Sequence, residues 1–586
     1  MISRRALIAG ATTLSANRVL ALTPSQEAVL FNGIKPAYVA NLLSGRLPSG
    51  LSFAHAGNAM QYDATGKLTY APNNLMYPSN PNSSYANSAS YSFTSGVTDP
   101  FGGTGAVTLT ANSASKQLYS YSLVQVAPTA ISSVWLRRRT GTGTVLAVNA
   151  NNTATDITST LNGTWQQFYS RTTTANAGNG AYIGIQINTI GDQVDWYLGV
   201  IASVTYETTP RPQDQVVTTS AAYYGPRFDY NPNTLAPNGL LIEGAATNLL
   251  AYSSAFTNAA WSQQSTTAAQ NVTGPDGVTN SGATLTMIAA TGLHDLASSA
   301  FTSNTQYALS IYAKAGTARY ISLSIAGSND GAYATYDLQS GVVTQSGALS
   351  AGTLSTTLIQ SIGNGWYRLV IVGKTASAAP YMIIAGANAG TYTPDGYGRQ
   401  NYTAAGTETY LIFGAQLEAG SFASSYIPTG ASAVTRAADI VTFTGSALTL
   451  LQGTQGAAIV QMISEGSTNP TTITNIIKGT NSILYRDTTG KLGTTNGTTA
   501  LLTSGAPTWT SAQRVGLSWS PGKRGLDYTG VAPTNDNNSA SNGGTIYLGS
   551  SNGSAAENGW YQSFGLYNQP LPNSALQSKI VVGAPY

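Results

Sequence analysis

A chain of 586 residues with 42% hydrophobic residues can bury several cores, and its length suggests roughly three to five domains. Only 8% of residues are charged, the net charge is +3, and no basic block exceeds Arg137-Arg138-Arg139, which argues against nucleic-acid binding by counterion release. The absence of cysteine removes disulfides, thiolate nucleophiles and cysteine metal sites, and no apolar run reaches the ~18 residues of a membrane span.

At the N-terminus, Arg4-Arg5 ahead of LIAGATTL has the pattern of a twin-arginine export signal, with a cleavage point near VLALT. The competing reading, adopted here, is a structured docking segment. In TPSQEAVLFNGIKPAYVANLL, Thr23 stands as N-cap, Pro24 at the first helical position and Gln26 three residues after the cap. That order predicts short helical pieces between about 24 and 45. Beyond residue 50, apolar and polar residues alternate with period two between Gly, Asn, Ser and Thr turns, as in GAYIGIQINTI, YALSIYAKAG, ARYISLSIAG and WYRLVIVGKT. This is the pattern of antiparallel β-sandwiches. LPNSALQSKIV near the end predicts one more short helix, capped by Asn573 or Ser574.

Self-comparison shows a duplication. APNNLMYPSN answers AATNLLAYSSAFTNAAW, SSVWLRRRTGTG answers ALSIYAKAGTA, GTWQQFYSRTTT answers NGWYRLVIVGKT, and DWYLGVIASVTYETTP answers ETYLIFGAQLEAGSF. Asn74 to Asn248 is 174 positions and Tyr197 to Tyr410 is 213, so the second copy is 39 residues longer, an excess expected in loops. Four parts follow: an N-terminal anchoring segment (1–50), a first β-sandwich (51–210), a second β-sandwich (211–436) and a distinct C-terminal β-domain (437–586). The fold class is all-β, with tandem jelly-roll-like β-sandwiches behind a short, partly helical N-terminal segment.

The second copy carries GLLIEGAATNLL (Gly239–Leu250), AFTNAAW (Ala255–Trp261), YALSIYAKAG (Tyr307–Gly316), TYDLQSGVV (Thr335–Val343), IGNGWYRL (Ile362–Leu369), FGAQLEAGSFASSYIPT (Phe413–Thr429) and TRAAD (Thr435–Asp439). In order and spacing this resembles a module of head-spike and tail-fibre proteins of tailed bacteriophages, with a carbohydrate-binding-module-like β-sandwich fold. The first copy lacks the GAQLE, SYIPT and TRAAD elements and is assigned through the duplication. Gly544–Lys579, GTIYLGSSNGSAAENGWYQSFGLYNQPLPNSALQSK, resembles the last strands of concanavalin-like or laminin-G-like lectin sandwiches. The resemblance implies a structural virion protein on the virion surface. In this reading it is a head fibre or spike that docks to other virion proteins through residues 1–50, assembles as a homotrimer and adheres to host cell-surface glycans. The alternatives are a tail fibre acting as receptor-binding protein and an exported bacterial adhesin.

No catalytic constellation is expected. Gly549-Ser550-Ser551-Asn552-Gly553 fits G-x-S-x-G, but it lies in an all-β region where a turn explains it, and the only histidines are His55 and His294. Glu243, Asp337, Glu408, Glu418 and Asp439 could supply a carboxylate pair, yet Glu243, Glu418 and Asp439 belong to the sandwich motif. Asn535-Asp536-Asn537-Asn538 lacks the spacing of a calcium loop. The expectation is therefore no enzyme, no metal and no cofactor. Sugars stack flat C–H faces on aromatic rings while neighbouring amides and carboxylates bond their hydroxyls. Tyr333, Tyr336, Tyr397, Trp560 and Tyr561 sit beside such polar loops and are the candidate glycan-binding residues; Trp366 alternates into a strand and reads as core.

Overall fold

A computed structural model describes residues 34–582 apart from 123–128, 174–179, 300–301, 378–379, 467–469, 471, 530 and 541. Arg4-Arg5 and the expected helix over 24–33 lie outside the described residues. The chain is all-β, built of antiparallel sheets stacked as sandwiches.

In the first sandwich one sheet runs in the order Gln166–Thr172, Ala130–Thr140, Gln193–Ser203, Ala106–Ala111, Tyr91–Val97. It faces a sheet ordered Ala154–Asp156, Val145–Val148, Tyr182–Ile187, Lys116–Tyr121. Trp196, Leu109 and Ile185 fill the space between them. The second sandwich repeats this plan. Trp366–Lys374, Gln306–Ala315, Thr409–Ala419, Gly282–Met287 and Thr266–Val272 match the first sheet, strand for strand.

Two details fix the correspondence. Asn74 and Asn248 are fully buried and make the same four bonds. Their Oδ1 atoms accept from Met76 N and Ile201 N, and from Leu250 N and Leu417 N; their Nδ2 atoms donate to the carbonyls of Gly199 and Val216, and of Ala415 and Ile427. Each long central strand also carries a bulge at a left-handed residue, Leu198 (φ 54°) in one and Gly414 (φ 61°) in the other. The true offset there is 216, from Leu198 to Gly414, so the sequence match of Tyr197 with Tyr410 was slipped by three. The extra length of the second copy is not loop alone. Val342–Leu349 and Thr353–Ser361 form strands that extend one sheet each.

The third sandwich corrects the expected boundaries. Its central strand Gly559–Tyr567 pairs with Gly456–Ser464 on one side, and on the other with both Tyr38–Asn41 and Pro237–Ile242. In the opposite sheet Leu51–Ala54 pairs with Ile440–Phe443. Strands from the expected anchor and from the lead-in to the second sandwich thus complete the C-terminal one, with Ala40, Leu42, Leu51, Leu240 and Ile242 in its core. The helical expectation over 34–45 is met only by the 3-10 helix Leu42–Ser44; Tyr38–Asn41 ahead of it is an edge strand. The expected short helix forms at Asn573–Lys579, but its N-cap is Pro572 and not Asn573 or Ser574.

Candidate functional site

The quoted motif residues meet at a buried junction between the second and third sandwiches. Arg227, fully buried, donates to Glu243, Asp439 and, at 2.8 Å, Ser425 Oγ. Ser425 N donates to Glu243 Oε1 at 2.7 Å and Glu243 N to Asp439 Oδ2 at 2.9 Å. Arg436 lies 3.5 Å from Glu243 and donates to the Gly244 carbonyl. Glu418 accepts from Gln416, Ser424 N and Ser424 Oγ, which folds SSYIP back onto the GAQLE strand. Burial pushes Glu243 up, but Arg436 and Arg227 outweigh it and hold its carboxyl well below the usual range. Burial and the neighbouring Glu243 push Glu465 far up. The motif is thus a latch in which each carboxylate is spent on structure.

Beside the latch, hairpin Met60–Tyr62/Leu68–Tyr70 seals the outer face of the second sandwich by packing Met60 and Leu68 on Tyr312, Trp366, Phe413 and Tyr426. The chamber left among Tyr62, Asp229, Tyr312, Arg368, Glu465 and Trp560 holds about 50 Å³, room for water and no sugar. Trp560 Nε1 donates to Asp229 Oδ2 at 2.7 Å, and burial pushes Asp229 up to about 6.

Three of the five candidate aromatics are therefore corrected by burial, and a fourth by its bond. Tyr336 is fully buried in the second core, its hydroxyl donating to the Val370 carbonyl at 2.7 Å. Tyr561 is fully buried in the third core. Tyr333 is 7% exposed, lies under Gly398 and accepts from Gln345 Nε2. Trp560 is half-buried and spent on the junction.

Tyr397 is half-buried and lies outside the cores. It rides on the loop 388–401, which crosses the outer face of the sheet formed by Asp295–Ser298, Tyr381–Ala387, Tyr320–Gly327 and Asp330–Asp337. Asp395 Oδ1 accepts from the backbone N–H groups of Tyr397 and Arg399, closing a tight turn. Gly398, at φ +82°, lets the loop settle, since a Cβ there would fall 2.4 Å from Tyr333 Cβ. The Tyr397 ring meets Tyr381 edge-on at 6.2 Å and 72°, and the Arg399 guanidinium lies 4.9 Å from its centre. Arg399 is itself held by Asp295 at 2.9 Å, Asp395 at 2.8 Å and Gln264 at 3.1 Å. The result is a pinned aromatic platform of two rings at 72°, with the Arg399 guanidinium over one face of Tyr397 and amide and carboxylate groups at its edge. Tyr381, 37% exposed, was missed because it opens the strand YMIIAGA and reads as a strand residue.

The other chemistry-bearing motifs are accounted for locally. Ser550 is buried and its Oγ accepts from Gly553 N, a turn contact. His55 and His294 bond backbone carbonyls. Asp337 is held by Arg319 and Asp536 by Arg524, while Glu408 accepts from three backbone N–H groups. Among the described residues no helix is long and apolar enough to cross a membrane.

No family model and no curated protein sequence matches the chain. Solved structures do. The CBM22-1–CBM22-2 tandem of Paenibacillus barcinonensis Xyn10C is 11% identical, over 63% of this chain and 100% of that one, with a TM-score of 0.22. Domains LG4-5 of the mouse laminin α1 chain are 12% identical over 57% and 91%, with a TM-score of 0.16. Trypanosoma rangeli sialidase is 8% identical over 90% and 93%, with a TM-score of 0.20. The expectation of no enzyme is not upheld: a sialidase stands among the similar structures beside the binding modules, and a likeness this weak shows neither an activity nor its absence. The likeness is one of β-sandwich architecture, which the strand pairing of the chain shows by itself.

Proposed function

We propose that this chain is a spike or fibre subunit of a tailed-phage particle, head-attached and homotrimeric, that adheres to host-surface glycans. The motif series running from GLLIEG to TRAAD supports the spike reading, and its residues form the latch that joins two projecting sandwiches. Attachment to the particle stays with the N-terminal segment, less residues 38–54, whose strands the third sandwich takes up. The observation that carries glycan adhesion is the Tyr381–Tyr397 platform. Its rings are held by neighbours before any ligand arrives, so little ordering is lost on stacking.

A single platform should bind near millimolar, about −4 kcal/mol. Several copies on one particle raise the apparent affinity by roughly 10² to 10⁴. Losing a ring weakens each copy at once. In a host-cell or polysaccharide pull-down with the full chain, Tyr397→Ala and Tyr381→Ala are each expected to lower retention about tenfold or more, at unchanged melting temperature. Equal retention by both variants and wild type would refute the platform.

A further inference from the structure

The first sandwich is open where the second is closed. In the second copy Leu309 and Ile371 pair across adjacent strands, fully buried, and the successive strands Val342–Leu349 and Thr353–Ser361 add an edge to one sheet each beyond them. The shared asparagine and bulge place Ser132 and Ser170 of the first copy at those two positions. Ser132 pairs with Ile201 and Ser170 just as Leu309 pairs with Leu417 and Ile371. The first copy has no such pair of edge strands among its described residues, and its sheets end at Ala154–Asp156 and Gln166–Thr172.

What results is a slot of about 270 Å³ between the sheets. Val134, Ala147, Ile157, Phe168 and Ile183 line it with apolar surface. Ser132, only 3% exposed, has a hydroxyl with no hydrogen-bond partner among the described residues. Ser170 Oγ accepts from Ala150 N at 2.9 Å, and Asn149 stands on the facing strand edge. Replacing a core Leu–Ile pair by two serines loses apolar burial, leaves a cavity and buries a hydroxyl without a partner. A fold that accepts this at adjacent positions breaks its own packing rule at one place, as functional sites do.

We infer that this slot binds one neutral sugar ring. Among the described residues no charged side chain lines it, so an acidic sugar would bury an uncompensated carboxylate. An acyl chain would leave the Ser132 hydroxyl unmet. A neutral pyranose has an apolar C–H face for Phe168 and hydroxyls for Ser132 and Ser170. The volume falls just under the ~300 Å³ where ligand pockets begin, which suits one ring and excludes an oligosaccharide. The slot shares a ligand class with the Tyr381–Tyr397 platform but no residue, and the test separates them.

Full-length protein is titrated with the methyl glycosides of glucose, galactose and N-acetylglucosamine, read by calorimetry and saturation-transfer NMR. Ser132→Leu/Ser170→Ile, which restores the pair found in the second copy, is expected to melt no lower than wild type and to lose about tenfold or more in affinity. Tyr381→Ala/Tyr397→Ala is expected to retain the slot's binding. Because the chain has no cysteine, Ser132→Cys provides a single thiol, whose alkylation the bound glycoside should slow. That readout decides the matter if the filled variant misfolds. Equal binding by the filled variant, no glycoside binding by wild type, uptake of benzene but no sugar, or an unprotected thiol would each overturn the inference.

Discussion

Removing residues 1–55 is expected to leave the first two sandwiches folded and to unfold the third. The deletion takes one strand from each of its sheets: Tyr38–Asn41, paired along Gly559–Tyr567, and Leu51–Ala54, paired with Ile440–Phe443. It also takes Ala40, Leu42 and Leu51 out of the core, and Tyr38 off the stacked ring of Phe564 at 5.8 Å. Burial of the two leucines alone contributes about 3–6 kcal/mol. Two lost ladders and an exposed edge at Val441 and Phe443 come on top. A domain is stable by only about 5–15 kcal/mol, so the loss exceeds what the remaining strands can hold. Limited proteolysis with mass spectrometry should place new cuts in 437–582 and spare the two earlier sandwiches. Peptide 34–55 added in trans should restore part of the protection. A truncated chain whose third sandwich melts as in the full protein would show that these strands are accessories.

How much of this was legible depends on the range of the interaction. Period-two alternation is local, so the strands and the all-β class could be read directly, and so could the Asn74–Asn248 duplication, because both asparagines cap the same strand contacts. Partner choice is not local. Nothing in YVAN or LSFA says that the partner strands lie some hundreds of residues away, and a helix-capping pattern at Thr23-Pro24 outweighed the short strand YVAN. The bulge common to both copies sets Leu198 against Gly414, but its two residue types differ, so the match of Tyr197 with Tyr410 slipped by three residues. At the site, parity was available and unused. In AYATYD, Tyr333 and Tyr336 point to opposite faces, so one of them had to be core, and adjacent Trp560 and Tyr561 divide the same way. Tyr397 could be found from its DGYG turn. Tyr381 could not, since the ring that meets it comes from a loop sixteen residues on.

Glu243→Gln is expected to cost about 3–5 kcal/mol, because it removes one partner from a fully buried charge network and leaves Arg227 and Arg436 facing a neutral amide. The amide nitrogen would also confront Ser425, whose N–H and hydroxyl both donate to this carboxylate. The penalty should depend on pH, and its sign follows from the direction of the shift. The folded Glu243 carboxyl ionises below its ordinary value of 4.5, so its contribution is present above about pH 4.5 and lost as the pH falls. Asp229 runs the other way. Burial raises it from 3.8 to about 6, so its contribution is present below pH 3.8 and lost as the pH rises through 6. Thermal unfolding of wild type and variant between about pH 3 and pH 8 should therefore show two curves far apart at neutral pH that draw together below about pH 4.5, where the unfolded chain's carboxylate takes up a proton before the folded one does. A penalty below about 1 kcal/mol at pH 7, or one that stays constant to pH 3, would mean that the latch is held by packing and not by charge.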